Sequence, residues 1–148
     1  MVSIAVDRVR RVTPHATNER IRQKTRQDIE RVAARGPTAI MHRLRELDRE
    51  WDIERCLEVM APTFTLVGLT LGLLKDKRWF VVPAVIQSFF LQHALQGWCP
   101  PIPLLRELGI RTQQEIDEEK YALKAIRGDF RHVKGQGSTG QALAAAKM

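Results

Sequence analysis

LEVMAPTFTLVGLTLGLL (residues 57–74) determines the fold together with the two segments that follow it. These are KDKR (75–78) and WFVVPAVIQSFFLQHALQGW (79–98). Apart from Glu58 near its start, the first segment has no ionisable side chain, and the second carries no formal charge with His93 neutral. As helices, the two segments would be about 27 and 30 Å long, close to the hydrocarbon thickness of a bilayer. Because the polar connection is so short, the helices must be antiparallel, and the sequence predicts a transmembrane hairpin over residues 57–98.

Buried helices of a soluble bundle are the alternative, and Pro62, Pro83 and the polar side chains of the second segment are compatible with it. Such a bundle would have to cover two helices that are apolar on all sides. The flanking segments offer one narrow apolar stripe each, so the pattern favours lipid.

The chain before the hairpin changes character near residue 18. Residues 1–17 lack periodicity and predict a flexible arm, whereas residues 18–56 predict a basic amphipathic helical region. Gly36 and Pro37 indicate a helix end followed by a helix start, because Gly tolerates left-handed backbone and Pro fits a first turn. Beyond them an apolar stripe recurs at i, i+4, i+7 and i+11, at Ile40, Leu44, Leu47 and Trp51.

After the hairpin, residues 99–130 predict a juxtamembrane helical region, and residues 131–148 predict a disordered, low-complexity tail. Gly109 would end a short helix that follows the prolines. Thr112 and Glu115 have capping-box spacing and predict a further helix that ends before Gly128. The expected fold class is all-α: a two-helix transmembrane hairpin flanked by cytoplasmic amphipathic helices.

The formal net charge of +7 favours polyanionic partners. One alternative is a soluble helical nucleic-acid binder using the basic run Arg20, Arg22, Lys24, Arg26, Arg31 and Arg35. The region has no recognisable nucleic-acid-binding signature and no aromatic residues placed to stack bases, so an anionic lipid surface is the favoured polyanion. Three tryptophans are expected at the membrane interface: Trp51, Trp79 and Trp98.

Basic residues near the predicted spans indicate the orientation. The turn carries Lys75, Lys77 and Arg78. The outer flanks carry a larger set: Arg43, Arg45, Arg49, Arg55, Arg106, Arg111 and Lys120. Under the positive-inside rule both termini should be cytoplasmic.

Small residues form a stripe along the first span, at Ala61, Thr65, Gly68 and Gly72. Small residues let helix backbones approach closely in lipid. The stripe predicts either self-association of two hairpins or packing against the second span of the same chain.

Polar residues share one region of the second span, with Ser88, Gln92 and Gln96 at i, i+4 and i+8 and His93 beside them. Polar groups in a membrane should face protein or water. A proton or ligand path through His93 is one interpretation, and interhelical hydrogen bonding is the favoured one, because neither span offers a carboxylate relay.

The two cysteines, Cys56 and Cys99, lie far apart in sequence and have neither disulfide-framework nor zinc-ligand spacing. Cys99 could be reactive among basic residues, but the Cys99-Pro100-Pro101 run is more typical of a helix end. The sequence predicts no cofactor, no metal site and no catalytic residues.

The hairpin and the GWCPPIPLLRELGIRT run that follows it, with Gly97, Cys99, Pro100, Leu104, Leu105, Gly109, Ile110 and Thr112, resemble the YgaP-like transmembrane domain over residues 53–112. The resemblance implies a bacterial inner-membrane hairpin, often a homodimer and sometimes fused to a sulfur-transferring rhodanese domain. Neither cysteine here begins the Cys-x5-Arg loop of that catalytic domain.

The functional expectation is a non-enzymatic integral membrane protein that anchors cytoplasmic helices for a membrane-complex partner or for homo-oligomerisation. The alternatives are a thiol-bearing accessory of persulfide transfer through Cys99 and the soluble nucleic-acid binder.

Overall fold

The computed structural model describes residues 8–131 and 140–141. All regular structure in those ranges is helical, which confirms the all-α class. The helices between residues 8 and 127 are α1 (Arg8–Val12), α2 (His15–Ala34), α3 (Pro37–Leu47), α4 (Ile53–Leu74), a 3₁₀ turn (Lys77–Phe80), α5 (Val81–Gln96), α6 (Pro101–Glu107) and α7 (Gln113–Arg127).

The chain divides into two compact units. The hairpin unit comprises Met1–Ile21 and Trp51–Gln114, and the helical unit comprises Arg22–Glu50 and Glu115–Met148.

The prediction of a flexible arm is wrong for residues 8–17, which form α1 and the start of α2. Val9 is buried in an apolar cluster of the hairpin unit, so packing orders this segment although it is short and aperiodic. The Asn18 amide donates hydrogen bonds to the carbonyl oxygens of Arg10 and Thr13, at 2.8 and 3.3 Å. These bonds satisfy carbonyls that the end of a helix leaves without partners. The part of the predicted arm before Arg8 lies outside the described residues.

The predicted break between α2 and α3 is confirmed: Gly36 has φ +88°, and Pro37 is the first residue of α3. Ile40, Leu44 and Leu47 are buried as the stripe predicts. Trp51 does not continue the stripe, because α3 ends at Leu47 and the Trp51 side chain is exposed.

In the hairpin unit, α4 ends at Leu74 as predicted but begins at Ile53, four residues before the predicted span. The Asp52 carboxylate accepts a hydrogen bond from the Arg55 amide at 2.6 Å and caps this earlier start. The prediction that residues 79–98 form one regular α-helix is wrong. The 3₁₀ turn opens it and α5 has 16 residues, ending where Gly97 adopts a left-handed φ of +76°.

The apolar core of the hairpin unit lies at the end of α4 and α5 farther from their connection. Residues from α1, α4 and α6 and the segment before α6 form it: Val9, Ile53, Leu57, Cys99, Ile102 and Leu105. The Ile53 amide donates to the Arg111 carbonyl at 3.0 Å, which ties the start of α4 to the chain beyond α6.

The helical unit packs the later part of α2 with α3 and α7. Its buried apolar side chains are Ile40, Leu44, Leu47, Ile116 and Leu123. The Arg43 guanidinium binds both carboxylate oxygens of the fully buried Glu119, at 2.8 and 3.3 Å. Lys120 pairs with Asp48 at 2.7 Å. Ion pairs thus join α3 and the residue after it to α7.

The predicted helices after the hairpin are confirmed. α6 is followed by Gly109 at φ +84°, and α7 begins directly after Thr112 and ends before Gly128, at φ +90°. Most of the predicted disordered tail, residues 132–139 and 142–148, lies outside the described residues.

Candidate functional site

The surface of α4 and α5 is the most unusual feature of the hairpin unit. In residues 8–131 and 140–141, one helix, Ile53–Leu74, is long and apolar enough to cross a membrane, and only 22% of its most apolar window is buried. The exposed large apolar side chains of the two helices are Val59, Phe64, Leu66, Val67, Leu69, Leu73, Leu74, Val81, Val85, Phe89, Leu91 and Leu95. A continuous apolar surface of this kind marks an interaction with lipid or another protein.

The small-residue stripe lies in the contact between α4 and α5 of the same chain. A Cβ atom added at Gly68 would lie 2.6 Å from Pro83 Cδ, and one added at Gly72 would lie 2.8 Å from the Phe80 ring. Ala61 is also buried. These glycines therefore allow close intramolecular packing, the second of the two predicted uses of the stripe.

One hydrogen bond crosses this contact within the apolar segments. The Gln87 amide donates to the Thr65 hydroxyl at 2.8 Å. Gln87 was not among the predicted interhelical residues. It lies one position before Ser88, so the rotation of α5 about its axis decides which polar residue meets α4.

The predicted interhelical role is wrong for Ser88. Its exposed hydroxyl donates to the Ala84 carbonyl of its own helix at 2.8 Å. Gln96 is exposed and Gln92 is half-buried. Of the four predicted polar residues, His93 is the one that the structure joins to α4.

His93 is buried, and its Nε2 lies 2.8 Å from Glu54 Oε2 in the first turn of α4. This carboxylate lies outside the predicted span of residues 57–74 and joins the contact because α4 begins early enough to include Glu54. The Phe90 ring stacks near the imidazole, with centroids 6.4 Å apart. The pair joins the two helices at the end farther from their connection.

Cys99 follows α5 and is almost fully buried in the apolar core of the hairpin unit. Burial raises the pKa of the Cys99 thiol, and the negative charge of Glu54 adds to the shift. Since the thiolate is the nucleophilic form, this environment disfavours the reactive-thiol interpretation. The Cys99 carbonyl instead accepts the Ile102 amide at 3.1 Å as the chain turns into α6.

Charged side chains hold α6 in place within the hairpin unit. The Arg106 side chain is fully buried and donates to Asn18 Oδ1 at 2.7 Å and to the Ile110 carbonyl at 3.2 Å. Glu107 accepts hydrogen bonds from the Thr17 hydroxyl and from Arg20, the latter at 2.8 Å. These bonds lower the pKa of the Glu107 carboxyl. The fold thus uses Arg106, a predicted topology signal, as a buried structural cation.

The three predicted interface tryptophans differ in environment. Trp51 is exposed, and the Arg55 guanidinium lies 4.7 Å from its ring centroid. Trp79 is exposed in the 3₁₀ turn, and Trp98 is half-buried after α5. Trp79 and Trp98 thus lie at opposite ends of the second apolar segment.

Within residues 8–131 and 140–141, no group of three or more His, Cys, Asp or Glu side chains could hold a metal ion.

In the helical unit, burial lowers the pKa of the Arg43 guanidinium, but the hydrogen bonds and charge of Glu119 outweigh burial and the net shift is upward. The guanidinium therefore stays charged and ties α3 to α7.

No protein-family model, curated protein or solved structure matches this chain. The resemblance to the YgaP-like domain therefore remains a prediction that rests on the residues quoted above.

Proposed function

We propose that the protein is a non-enzymatic integral protein of a bacterial inner membrane. Its α4–α5 hairpin crosses the bilayer twice, with both termini in the cytoplasm, and anchors the helical unit for a partner complex or for self-association.

The single observation that carries this proposal is the exposure of α4. Only 22% of its apolar window is buried, and Leu66, Leu73 and Leu74 are 64%, 77% and 82% exposed. In water these side chains would leave a large apolar area uncovered, whereas lipid would cover it at no such cost.

The length of the second apolar segment supports a second crossing. Two residues of the 3₁₀ turn, Trp79 and Phe80, and the 16 residues of α5 together extend about 28 Å, near the thickness of the hydrocarbon layer. Pro83 lies in the first turn of α5, where its missing amide removes no helical hydrogen bond.

Four polar side chains in the apolar segments have internal partners, which suits a lipid environment. The Thr63 hydroxyl donates to the Val59 carbonyl at 2.6 Å, and the Ser88 hydroxyl bonds to its own helix in the same way. The Thr65–Gln87 bond joins two more. An exposed site in water would not need these bonds, so they favour lipid.

The two alternative functions are less consistent with the contacts. Persulfide transfer needs an accessible thiol, and Cys99 is buried with a raised pKa. A nucleic-acid binder needs free cations, but Arg20, Arg26 and Arg31 of the basic run pair with Glu107, Glu30 and Asp28.

Alkaline extraction of inner-membrane vesicles that contain the full chain tests the proposal. We expect the protein to stay in the membrane pellet, because high pH removes peripheral proteins but not spanning hairpins. Release of the chain into the supernatant would overturn the proposal.

Orientation is tested with two single-cysteine variants, Lys77→Cys in the turn and Arg26→Cys in α2, in a Cys56→Ser/Cys99→Ser background. Both positions are exposed. A membrane-impermeant maleimide added to intact spheroplasts should label position 77 and not position 26. The reverse pattern would place the termini outside, and labelling of both in intact cells would exclude two crossings.

A further inference from the structure

A cavity of about 200 Å³ lies in the hairpin unit, on the side of α4 and α5 farther from their connection. Met60, Ala61 and Phe64 of α4 form one wall, and Ile86 and Phe89 of α5 form another. The segment from Cys99 to Pro101, which follows α5, lines the cavity between these two walls. The cavity is therefore a formed space between three parts of one unit rather than an uncovered helix face.

The closest contacts between the two helices and the cavity lie in different parts of the hairpin. Near the connection, Gly68 and Gly72 let α4 approach Pro83 and Phe80 closely. Toward the other end the facing residues are larger, and the chain after α5 inserts Cys99 into the core. The cavity therefore lies away from the glycine contacts, between the larger side chains at the other end of the helices.

The chemistry of the lining selects an apolar occupant. Of the lining side chains, only the Cys99 thiol can donate a hydrogen bond, and the sulfurs of Cys99 and Met60 are weak acceptors. A buried water needs two to four polar partners, so water is a poor occupant of this space. Three phenylalanines and a methionine line it, and such flexible or flat side chains fit a hydrocarbon segment.

The position of the cavity identifies the source of the hydrocarbon. Phe64 and Phe89 line the cavity and are also part of the exposed apolar surface of α4 and α5. The cavity therefore continues the surface that, in the proposed function, faces lipid. We infer that it binds one acyl chain of a membrane phospholipid, which enters between Phe64 and Phe89 and lies over Cys99. This inference rests on the proposed membrane location.

Photo-crosslinking tests the inference on the full chain. The protein is placed in vesicles of phosphatidylethanolamine and phosphatidylglycerol, with a trace of phosphatidylglycerol that carries a diazirine in one acyl chain. After irradiation, the label is mapped separately to cavity peptides, which contain residues 60–64 or 99–101, and to the reference peptide of residues 66–74.

The variant Ala61→Phe fills the cavity, and Leu66→Phe is the matched control because it adds the same ring to the exposed face of the same helix. We expect Ala61→Phe to lower labelling of the cavity peptides about tenfold, since excluding about two methylenes has an effect of that size. Leu66→Phe should leave cavity labelling unchanged. If Ala61→Phe does not fold, Ile86→Trp fills the same space from the opposite wall.

Three other outcomes overturn the inference. Label spread evenly along both helices and insensitive to the filling variants would mean a general lipid shell. Chain-to-chain crosslinks from a photoreactive phenylalanine analogue placed at position 89, with no lipid label on the cavity peptides, would assign the cavity to a second copy. Absence of lipid label from every peptide, together with release of the chain by alkali, would refute the proposed membrane location as well.

Discussion

Leucines on the surface of α4 and leucines in the core of the helical unit differ sharply in exposure. Leu66, Leu73 and Leu74 of the hairpin are 64%, 77% and 82% exposed, whereas Leu47 and Leu123 of the helical unit are 2% and 0% exposed. In the helical unit, charged side chains cover the apolar ones and pair with each other, as Arg43 does with Glu119. In α4 and α5, by contrast, Gly68 and Gly72 are buried and most leucines are exposed, although Leu57 lies in the core of the hairpin unit. In the proposed function this difference reflects two solvents, because the hydrophobic effect drives leucine inward only where water is outside.

The largest expected effect is in the core of the helical unit. Leu123→Ala should destabilise the protein by about 2–5 kcal/mol, because it removes a fully buried side chain and leaves a cavity. Denaturant unfolding of the full chain in one detergent measures the change. Leu74→Ala, at an exposed position of α4, is the control and should change stability by less than about 0.5 kcal/mol. Equal decreases in the free energy of unfolding for both variants would mean that the two leucines are buried to the same extent.

A charge on the surface of α4 tests whether that surface faces lipid. Leu66→Arg should disfavour membrane insertion by ~2.5–3.5 kcal/mol, because the site lies near the middle of the apolar segment. The fraction of chain that remains in the pellet after alkaline extraction measures this. Met41→Arg, on the exposed surface of α3, should have no effect. If Leu66→Arg is as harmless as Met41→Arg, the α4 surface faces water.

The contact between α4 and α5 comes next in size. Gly68→Ile should destabilise the hairpin by about 1–3 kcal/mol, because even a Cβ atom there would lie 2.6 Å from Pro83. Thermal unfolding in detergent measures the loss, and Thr70→Ile, at an exposed position of the same helix, is the control. Unchanged stability with loss of a crosslinked dimer would instead assign the small-residue stripe to self-association.

The smallest effect concerns an exposed ion pair. Because the Glu107 pKa is lowered in the folded state, this carboxylate adds stability above its unfolded pKa and loses that contribution as the pH falls through the folded value, below about 4.5. Glu107→Gln should remove this acid-dependent part of the melting temperature between pH 5 and 3. Glu30→Gln, which breaks an exposed pair with Arg26 within α2, is the control. An identical acid slope in Glu107→Gln would contradict this role.

Features that depend on neighbouring residues, such as helix ends and apolar stripes, were predictable from the sequence. The helix ends at Gly36, Gly109 and Gly128 follow from backbone preferences, and the end of α4 at Leu74 follows from the change of polarity. The buried stripe of α3 follows from helical periodicity. The prediction that the stripe continues to Trp51 is wrong because the helix ends at Leu47.

Contacts between distant segments were not predictable, because each depends on how helices are placed and rotated. Glu54 and His93 are 39 positions apart and meet only in one register of the antiparallel pair. Val9 is ordered by a core that forms from residues more than 40 positions away. Periodicity within a segment carries no information about such partners.

Spin-label accessibility at one position in each unit tests the central claim most directly. Leu66→Cys and Met41→Cys, each in the Cys56→Ser/Cys99→Ser background, are labelled in vesicles and exposed to oxygen, which concentrates in lipid, and to a water-soluble nickel complex. If α4 faces lipid and α3 faces water, oxygen relaxes the label at position 66 more strongly and nickel relaxes the label at position 41 more strongly. Strong relaxation by nickel at both positions would contradict it.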